Sequence, residues 1–305
     1  MACVEGGAAL NNLINCDKLS CLAELENATD SELWDSYLEG QSKLFFDSEY
    51  QWLSKEIWWQ KARNILEVGS GNGTFLFSLA NFFENKQFKG VELLPASVRQ
   101  ANEQYAKPNL IFQEGNAEIF NPCLVNSSDL IIFRIVLQHL ENPTAALKNA
   151  FHYLSTDGYV VIIDTFDSAR KTSHPIPILE ETTALVAKVQ KNGQKGNRKA
   201  LMELQQALEC NQSSLNDYYD IVSSNLDING NVTSDFILFN GKSNRVLYFN
   251  HCLLFFTLLN RTYHINLDLS RAYDELQDYL NDEYAWTSPG MHCLVLKRKN
   301  CALLP

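Results

Sequence analysis

The sequence predicts an α/β fold with a doubly wound parallel sheet. Between Asn64 and Thr165, short apolar segments alternate with segments of helical pattern, which is typical of strands connected by helical crossovers. The first apolar segment runs into a glycine-rich turn, Gly69–Gly73, as the first crossover of such a sheet does. With 305 residues, 46% of them hydrophobic, the chain is long enough for a large core and about two domains.

The segment before the sheet is expected to be helical after an irregular start. Thr29 and Glu32 have the spacing of a capping box, so a helix is predicted to begin there. The segment is rich in aromatic residues, namely Trp34, Tyr37, Phe45, Phe46, Tyr50, Trp52, Trp58 and Trp59. These rings either pack the helices onto a core or line a pocket, and the sequence leaves both interpretations open.

Five strands are predicted in the alternating segment. They are Ile65–Val68, Phe88–Glu92, Leu110–Gln113, Leu130–Phe133 and Tyr159–Ile163. Pro95 and Pro143 mark the starts of two intervening helices, because the first helical turn tolerates the missing N–H of proline. Five strands within about a hundred residues form a compact half of a doubly wound sheet.

The alternation stops after Thr165. The predicted elements beyond it are two or three helices over residues 175–225, extended segments Phe236–Phe239 and Arg245–Phe249 around a turn, a helix Ser270–Leu280 capped by Asp268, and a closing strand Met291–Leu296. The loop between the first two helices holds a basic cluster of Lys188, Lys191, Lys195, Arg198 and Lys199. This cluster is either a solvated connection or a surface that attracts an anion.

Charge and composition exclude several classes of function. The net charge of −11 argues against a large nucleic-acid surface. No secretory signal is expected from the first residues, and the most apolar run, Cys252–Leu259, is far shorter than the roughly 20 residues of a membrane helix. The eight cysteines have no metal-binding spacing, so reduced thiols and no metal are expected. We therefore expect a cytoplasmic protein without a membrane or nucleic-acid partner.

The residues with the clearest chemistry follow the first strand. Glu67 lies two positions before a G-x-G-x-G series made of Gly69, Gly71 and Gly73. Such a turn directs backbone N–H groups at a bound ligand. A dinucleotide-binding fingerprint would have its third glycine at position 74, which is Thr74. This spacing counts against a nicotinamide oxidoreductase.

The E-x-G-x-G-x-G series resembles the first motif of the class I S-adenosylmethionine-dependent methyltransferases. Further matches follow in the same order, namely Glu92, Gly115-Asn116-Ala117, and the stretch Arg134–Leu140 with Asn142-Pro143. The resemblance covers about residues 60–165. It implies a Rossmann-like sheet of seven strands, the last of them antiparallel, a helical lid or cap, and S-adenosylmethionine as the cofactor.

The resemblance also implies roles for individual residues. Glu67, Gly69, Ser70, Gly71 and Gly73 would serve the amino-acid end of the cofactor, together with the backbone of Phe133 and Arg134. Glu92 and the adjacent Leu93 would contact the ribose, and Asn116 and Ala117 would contact the adenine. Simpler interpretations stay open for two of these residues, because Glu92 could cap the helix that starts at Pro95 and Asn116 could be a turn residue.

Candidate catalytic and substrate residues follow from the expected position of the transferred methyl group. His139, after the fourth strand, and Asp164, at the end of the fifth, are candidate catalytic residues, and His139 could instead hold local backbone. Gln138, Tyr37 and Phe46 are candidate substrate-binding residues. Methyl transfer is an in-line displacement that depends mainly on alignment and exclusion of water, so a general base is optional.

The expected organisation has four parts. Residues 1–60 form an N-terminal helical lid, 61–170 the cofactor-binding core, 171–230 a helical cap, and 231–305 the completion of the sheet. The expected function is methyl transfer to nitrogen, oxygen or carbon of a small molecule, by a monomer or homodimer. The alternatives are a protein or peptide methyltransferase, which would need an open groove, and an inactive cofactor-binding partner module.

Overall fold

The computed structural model describes residues 10–165, 170–191, 203–204, 206–208, 210, 212–225 and 237–299. The chain divides into two compact units. One unit comprises Met1–Asp47, Arg170–Gln194 and Ile237–Ser288, and the other comprises Ser48–Ala169, Lys195–Phe236 and Pro289–Pro305. We refer to them as the helical unit and the sheet unit.

The sheet unit contains a seven-stranded mixed sheet. Its strands are β1 (Asn64–Val68), β2 (Gln87–Glu92), β3 (Leu110–Glu114), β4 (Ser128–Arg134), β5 (Leu154–Thr165), β7 (Tyr219–Ser224) and β9 (Met291–Arg298). Their order is β3-β2-β1-β4-β5-β9-β7. Neighbours among β1 to β5 are parallel, whereas β9 runs antiparallel to both β5 and β7. The predicted fold class, including the antiparallel last strand, is confirmed.

The described residues also include a 3-10 helix at Leu10–Asn15, nine α-helices with defined bounds and two further short strands. The helices are α1 (Lys18–Asn27), α2 (Asp30–Leu53), α3 (Ile57–Lys61), α4 (Thr74–Phe82), α5 (Pro95–Gln104), α6 (Pro143–Tyr153), α7 (Pro177–Lys191), α8 (Gly241–Tyr263) and α9 (Leu269–Asn281). The short strands β6 (Lys171–Thr172) and β8 (Thr287–Ser288) pair antiparallel in the helical unit. Three-residue 3-10 turns at Pro122–Leu124 and Leu137–His139 follow β3 and β4.

The first five strands form where continuous apolar runs predict them, because parallel strands are covered on both faces. One face of the sheet packs into a cluster that includes Val68, Phe133, Ile162 and Leu294, with Phe151 of α6 against them. Every residue of β4 and β5 in this cluster is less than 2% exposed. The strands β1, β2, β4 and β5 end at one edge of the sheet, which we call the carboxyl edge. The core extends to this edge, since it includes Val68, Val91 and Phe133 near the ends of their strands.

Capping residues determine where several helices begin. Thr29 and Glu32 form the predicted capping box of α2: the Thr29 N–H donates to Glu32 Oε2 at 2.8 Å, and the Glu32 N–H donates to Thr29 Oγ1 at 3.3 Å. Asp268 caps α9 as predicted, accepting the N–H of Arg271 at 3.0 Å. Asn142 caps α6 in the same way, with proline at the first helical position.

Two predictions from the C-terminal part of the sequence are wrong. Arg245–Phe249 is helical rather than extended, since it belongs to the long helix α8. Residues 175–225 end in the strand β7 rather than in a helix. Phe236 and three residues of the basic cluster, Lys195, Arg198 and Lys199, lie outside the described residues, so the structure does not address their predicted roles.

The described residues contain no helix with both the length and the hydropathy needed to cross a membrane. Within the same ranges, no group of three or more histidine, cysteine, aspartate or glutamate side chains is placed to hold a metal ion. The six described cysteines are free thiols, and three of them, Cys21, Cys252 and Cys293, are buried.

Candidate cofactor site

A glycine loop joins β1 to α4 at the carboxyl edge. Gly69, Gly71 and Gly73 have positive φ angles of 74°, 55° and 82°. A Cβ atom at Gly69 would lie 2.2 Å from Cγ2 of Val136, and one at Gly73 would lie 2.6 Å from Cζ of Phe112. Both positions therefore require glycine, for backbone angle and for space. The loop leads into the first turn of α4, whose N–H groups have no partners within the helix.

Two polar side chains at this loop are buried and incompletely bonded. Glu67, near the end of β1, is 3% exposed, and its Oε2 has no hydrogen-bond partner among the described residues. Burial raises the pKa of Glu67 to about 8, against the opposing effect of Arg134, while Glu49 and Glu92 add to the rise. Ser70 is 7% exposed, and its Oγ also lacks a partner. The end of β1 and the loop thus each present a buried polar group that a ligand could bind.

A buried ion pair lies next to Glu67 and was not predicted from the sequence. Arg134, at the end of β4, places its Nε 2.8 Å from Oε1 and 3.0 Å from Oε2 of Glu49 in α2. The Arg134 guanidinium also lies 4.5 Å from the centre of the Phe75 ring. Burial raises the pKa of Glu49, and the guanidinium opposes that rise. The ion pair joins the end of β4 to Glu49, and the contact with Phe75 joins it to α4 beside the glycine loop.

Glu92 links the end of β2 to the glycine loop. Its Oε2 accepts the N–H of Gly71 at 3.0 Å, and its Oε1 accepts the N–H of Leu94 at 3.1 Å. The adjacent Leu93 is 60% exposed. Glu92, which the resemblance assigns to the cofactor's ribose, is therefore hydrogen-bonded to the glycine loop, which the resemblance assigns to the cofactor's amino-acid end.

A cavity of about 270 Å³ lies behind the end of β3. It is bounded by Gly115, Asn116 and Ala117 on one side and by Leu66, Val68 and Val91 of the sheet on the other. The Asn116 Oδ1 accepts the N–H of Glu118 at 2.8 Å, which gives Asn116 the turn geometry considered from the sequence. Asn116 forms this turn and also bounds the cavity. Asn116 and Ala117 therefore remain candidates for contact with the adenine of the cofactor.

A second polar cluster lies at the ends of β4 and β5. Gln138 Nε2 donates to Asp164 Oδ1 at 3.0 Å, and the Thr165 N–H donates to the same oxygen at 2.8 Å. Asp164 pairs in register with His292 on the antiparallel strand β9, and neither side chain is exposed. The Asn225 side chain bonds the backbone on both sides of His292, at Met291 O and at the Cys293 N–H. The structure thus joins two predicted residues, Gln138 and Asp164, and adds His292 and Asn225.

The other predicted residues of the sheet unit are placed as follows. The Phe133 side chain is buried in the core, which leaves only its backbone for a ligand, as the resemblance implies. His139 is exposed and ends the 3-10 turn Leu137–His139. Ile135, between β4 and that turn, has a φ of 52°, which is strained for a β-branched residue. The catalytic roles of His139 and Asp164 stay predictions.

The predicted residues Tyr37 and Phe46 belong to the helical unit. Tyr37 stacks on two rings of α8, with centroid distances of 4.7 Å to His251 and 5.7 Å to Phe255. Its hydroxyl accepts a hydrogen bond from Gln41 at 3.3 Å. Tyr37 and Phe46 are both half-buried, so part of each ring is accessible. Their substrate-binding role stays a prediction.

These features fit the cofactor expected from the sequence. S-adenosylmethionine carries an ammonium and a sulfonium group, and the site offers Glu67, Glu92 and Ser70 as acceptors beside the glycine loop. The glycine loop has no room for side chains at two positions, as expected where backbone approaches a ligand. The observation that decides the fit is the buried, unbonded Oε2 of Glu67, since a cation compensates it directly.

Comparison with known proteins supports the same interpretation. A family model described as a methyltransferase domain matches residues 60–225. Malonyl-[acyl-carrier protein] O-methyltransferase 1 of Ilyobacter polytropus is 26% identical over 144 residues, which cover 42% of this chain and 53% of that protein. Cephaeline 6'-O-methyltransferase IpeOMT1 of Carapichea ipecacuanha is 32% identical over 154 residues, which cover 48% of this chain and 39% of that protein.

The chain thus spans about half, or less, of the length of the curated relatives it matches. Among solved structures, the YcgJ protein from Bacillus subtilis is similar to this chain with a TM-score of 0.45 and 17% identity. That similarity covers 84% of this chain and 100% of the other.

Proposed function

This chain belongs to the methyltransferase-domain family, and from that premise we propose that it transfers a methyl group from S-adenosylmethionine to nitrogen, oxygen or carbon of a small molecule. The family and the cofactor that the glycine motif implied are confirmed. The activity of the whole protein, its substrate and the accepting atom are our proposals. The observation that carries them is the glycine loop with the buried, unbonded Glu67 carboxyl oxygen beside it.

We assign the cofactor's contacts to residues of the sheet unit. Glu67, Ser70 and the backbone of the loop Gly69–Gly73 would hold the amino-acid end, with Glu92 and Leu93 next to the ribose. Asn116 and Ala117, which bound the 270 Å³ cavity, would take the adenine. When bound, S-adenosylmethionine supplies an electrophilic methyl group on a positively charged sulfur.

The chain's own residues would align the acceptor and exclude water. The hydrogen bond between Gln138 and Asp164 orients the Gln138 amide at the ends of β4 and β5, where we propose that it contacts the substrate. His139 is exposed beside it and is our candidate for accepting a proton when the acceptor carries one. Asp164 is fully buried, so a role in holding Gln138 suits it better than direct contact with substrate.

A small-molecule substrate is supported by the acidic chain and by the relatives. The net charge of −11 disfavours polyanionic partners such as nucleic acid. The matched relatives are named O-methyltransferases, which makes oxygen the first acceptor to test. A cytoplasmic location remains part of the proposal, and monomer and homodimer both remain open.

The proposal is tested by titrating the full chain with S-adenosylmethionine in a calorimeter. We expect saturable binding of one molecule per chain. In Gly71→Asn, affinity is expected to fall by at least about tenfold, because asparagine tolerates the φ of 55° but adds a side chain to the loop. Gly241→Asn makes the same change at another positive-φ glycine, which has open space around it, and should bind like the parent.

Absence of binding by a folded parent chain would contradict the proposed function. Equal affinity in Gly71→Asn and the parent would show that the loop is not the binding element. Once binding is established, transfer of a labelled methyl group to a panel of small carboxylic acids, phenols and amines would identify the accepting atom.

A further inference from the structure

Glu67 lies in a cluster with more carboxylates than cations. Two further carboxyl groups, those of Glu49 on α2 and Glu92 on β2, act electrostatically on Glu67 of β1. The cation that faces them is Arg134 on β4. Four ionisable groups from four elements therefore meet at the glycine loop, and one of the four, Arg134, is a cation.

The hydrogen bonds divide these carboxyl groups into compensated and uncompensated ones. Glu49 has both oxygens within 3.0 Å of Arg134 Nε. Glu92 has one backbone N–H on each oxygen. Glu67 Oε2 accepts no hydrogen bond from the described residues, the charge of Arg134 does not outweigh the effect of burial on its pKa, and Glu67 is 3% exposed. A buried carboxylate without donors is costly, whereas the neutral acid is much less so.

We propose that Glu67 carries a proton in the free protein at neutral pH and releases it when the cationic amino-acid end of S-adenosylmethionine binds. This inference rests on the proposed function, since it takes that cofactor as the ligand. On binding, the O–H bond of the Glu67 carboxyl group breaks, the proton passes to a buffer base, and the carboxylate keeps the electron pair. The ammonium and sulfonium charges then compensate the buried carboxylate.

The direction of the pH dependence follows from this coupling. Burial raises the pKa of Glu67 to about 8, so about nine-tenths of the free protein is protonated at pH 7. If the ligand binds the ionised form, the apparent association constant equals the intrinsic constant multiplied by the ionised fraction of Glu67. Affinity should therefore rise about tenfold from pH 6 to pH 7 and level off above the pKa.

The experiment measures protons directly. S-adenosylmethionine is titrated into the full chain at pH 7 in two buffers with different enthalpies of ionisation, phosphate and Tris. The difference between the two apparent binding enthalpies gives the number of protons transferred. We expect release of about one proton per molecule bound. This measurement needs no variant, so it does not depend on whether an altered chain folds.

Two variants assign the proton to its residue. Glu67→Gln keeps the shape of the neutral acid, so it should fold, release no proton at pH 7 and show an affinity that does not change between pH 6 and pH 7. Glu84→Gln changes an exposed glutamate between α4 and β2 and should release the same proton as the parent.

The possible failures are distinguishable. Binding without proton release in the parent, or unchanged release in Glu67→Gln, would overturn the inference and leave the proposed function intact. Absence of binding at every pH between 6 and 8 would contradict the proposed function itself, and the inference with it.

Discussion

Gly69 turns the chain sharply at the point where β1 ends, and this turn leaves no room for a side chain. Its φ is 74°, and an added Cβ would lie 2.2 Å from Cγ2 and 2.9 Å from Cβ of Val136. Valine is branched at Cβ and restricted to few rotamers, so it cannot move aside cheaply. The conformation of the loop is therefore enforced by steric contact between two neighbouring crossovers.

We expect Gly69→Ala to lower the free energy of unfolding by about 2–4 kcal/mol, from an unfavourable φ and from overpacking. Gly241→Ala is the matched control, because its φ is 77° and nothing lies within 4 Å of its added Cβ. Gly241→Ala should lower the free energy of unfolding by about 1 kcal/mol, from the unfavourable φ alone. Urea denaturation of both variants checks the difference, and equal losses would mean that Val136 yields to the methyl group.

Residue-level prediction from the sequence succeeds where neighbours in the chain carry the site. The glycine loop and Glu67 lie within a few positions of each other, so their spacing predicts their grouping. Glu49 and His292 lie far from these residues in the sequence. They reach the site through α2 and through the antiparallel pairing of β9. No local pattern marks a partner that the fold brings from more than 80 residues away.

At the scale of elements, one carboxylate joins the starts of three strands. Asp129 in β4 accepts the N–H groups of Arg63 and Asn64 at 2.9 Å, at the start of β1. It also accepts the hydroxyl of Ser155 in β5 at 3.0 Å. Partial burial favours the neutral acid, but these hydrogen bonds outweigh it and hold the pKa of Asp129 below its usual value.

Asp129→Asn is expected to lower the free energy of unfolding at pH 7 by about 1–2 kcal/mol, since the bonds to a charged acceptor weaken. A lowered pKa stabilises the fold above the unfolded value of about 3.9, and this contribution is lost as pH falls through the folded value. The difference between the variant and the parent should therefore shrink at pH 3.

The control for Asp129 is Asp157→Asn, in the turn before the apolar part of β5. Asp157 is exposed, pairs with Lys297 at 3.0 Å, and has a φ of 63° that asparagine tolerates. An exposed ion pair contributes at most about 1 kcal/mol. Denaturation curves at pH 7 and pH 3 compare the two variants, and a loss for Asp129→Asn that is equal at both pH values would contradict the assigned charge.

The elements that sequence analysis identified correctly are those with a distinctive pattern. The strands β1 to β5 are short apolar runs between turn residues, and α9 has an apolar stripe behind an Asp268 cap. The helix α8 was misjudged because it is buried on most of its surface, from Tyr248 to Leu259, so it lacks a helical period of polar residues. The strand β7 was missed because most of its residues are only half-buried or exposed.

At the scale of the whole molecule, the sequence predicts electrostatic character more directly than architecture. The charge of −11 follows from counting 25 basic against 36 acidic residues. The division into two units does not follow from the linear order, because each unit is assembled from three separate segments. The net charge is a sum over residues and does not depend on contacts between them, whereas the two units depend on which distant segments pack together.

The net charge leads to a prediction about ionic strength. S-adenosylmethionine has a net charge of +1, whereas S-adenosylhomocysteine lacks the sulfonium charge and is neutral. The electrostatic field of an acidic chain therefore favours binding of S-adenosylmethionine at low salt. Salt screens that field, because the Debye length falls from about 30 Å at 0.01 M to about 10 Å at 0.1 M. The ratio of the dissociation constants, S-adenosylmethionine over S-adenosylhomocysteine, should rise about two- to fivefold between 0.01 M and 0.5 M salt.

Taking the ratio removes the interactions that the two ligands share, including those of the ammonium group. Calorimetric titrations of both ligands at four salt concentrations and a constant pH of 8 provide the measurement, since both ligands then meet the same ionised fraction of Glu67. A ratio that stays constant would mean that the sulfonium charge senses only buried groups such as Glu67, which salt does not screen, and that the acidic surface has no influence on cofactor choice.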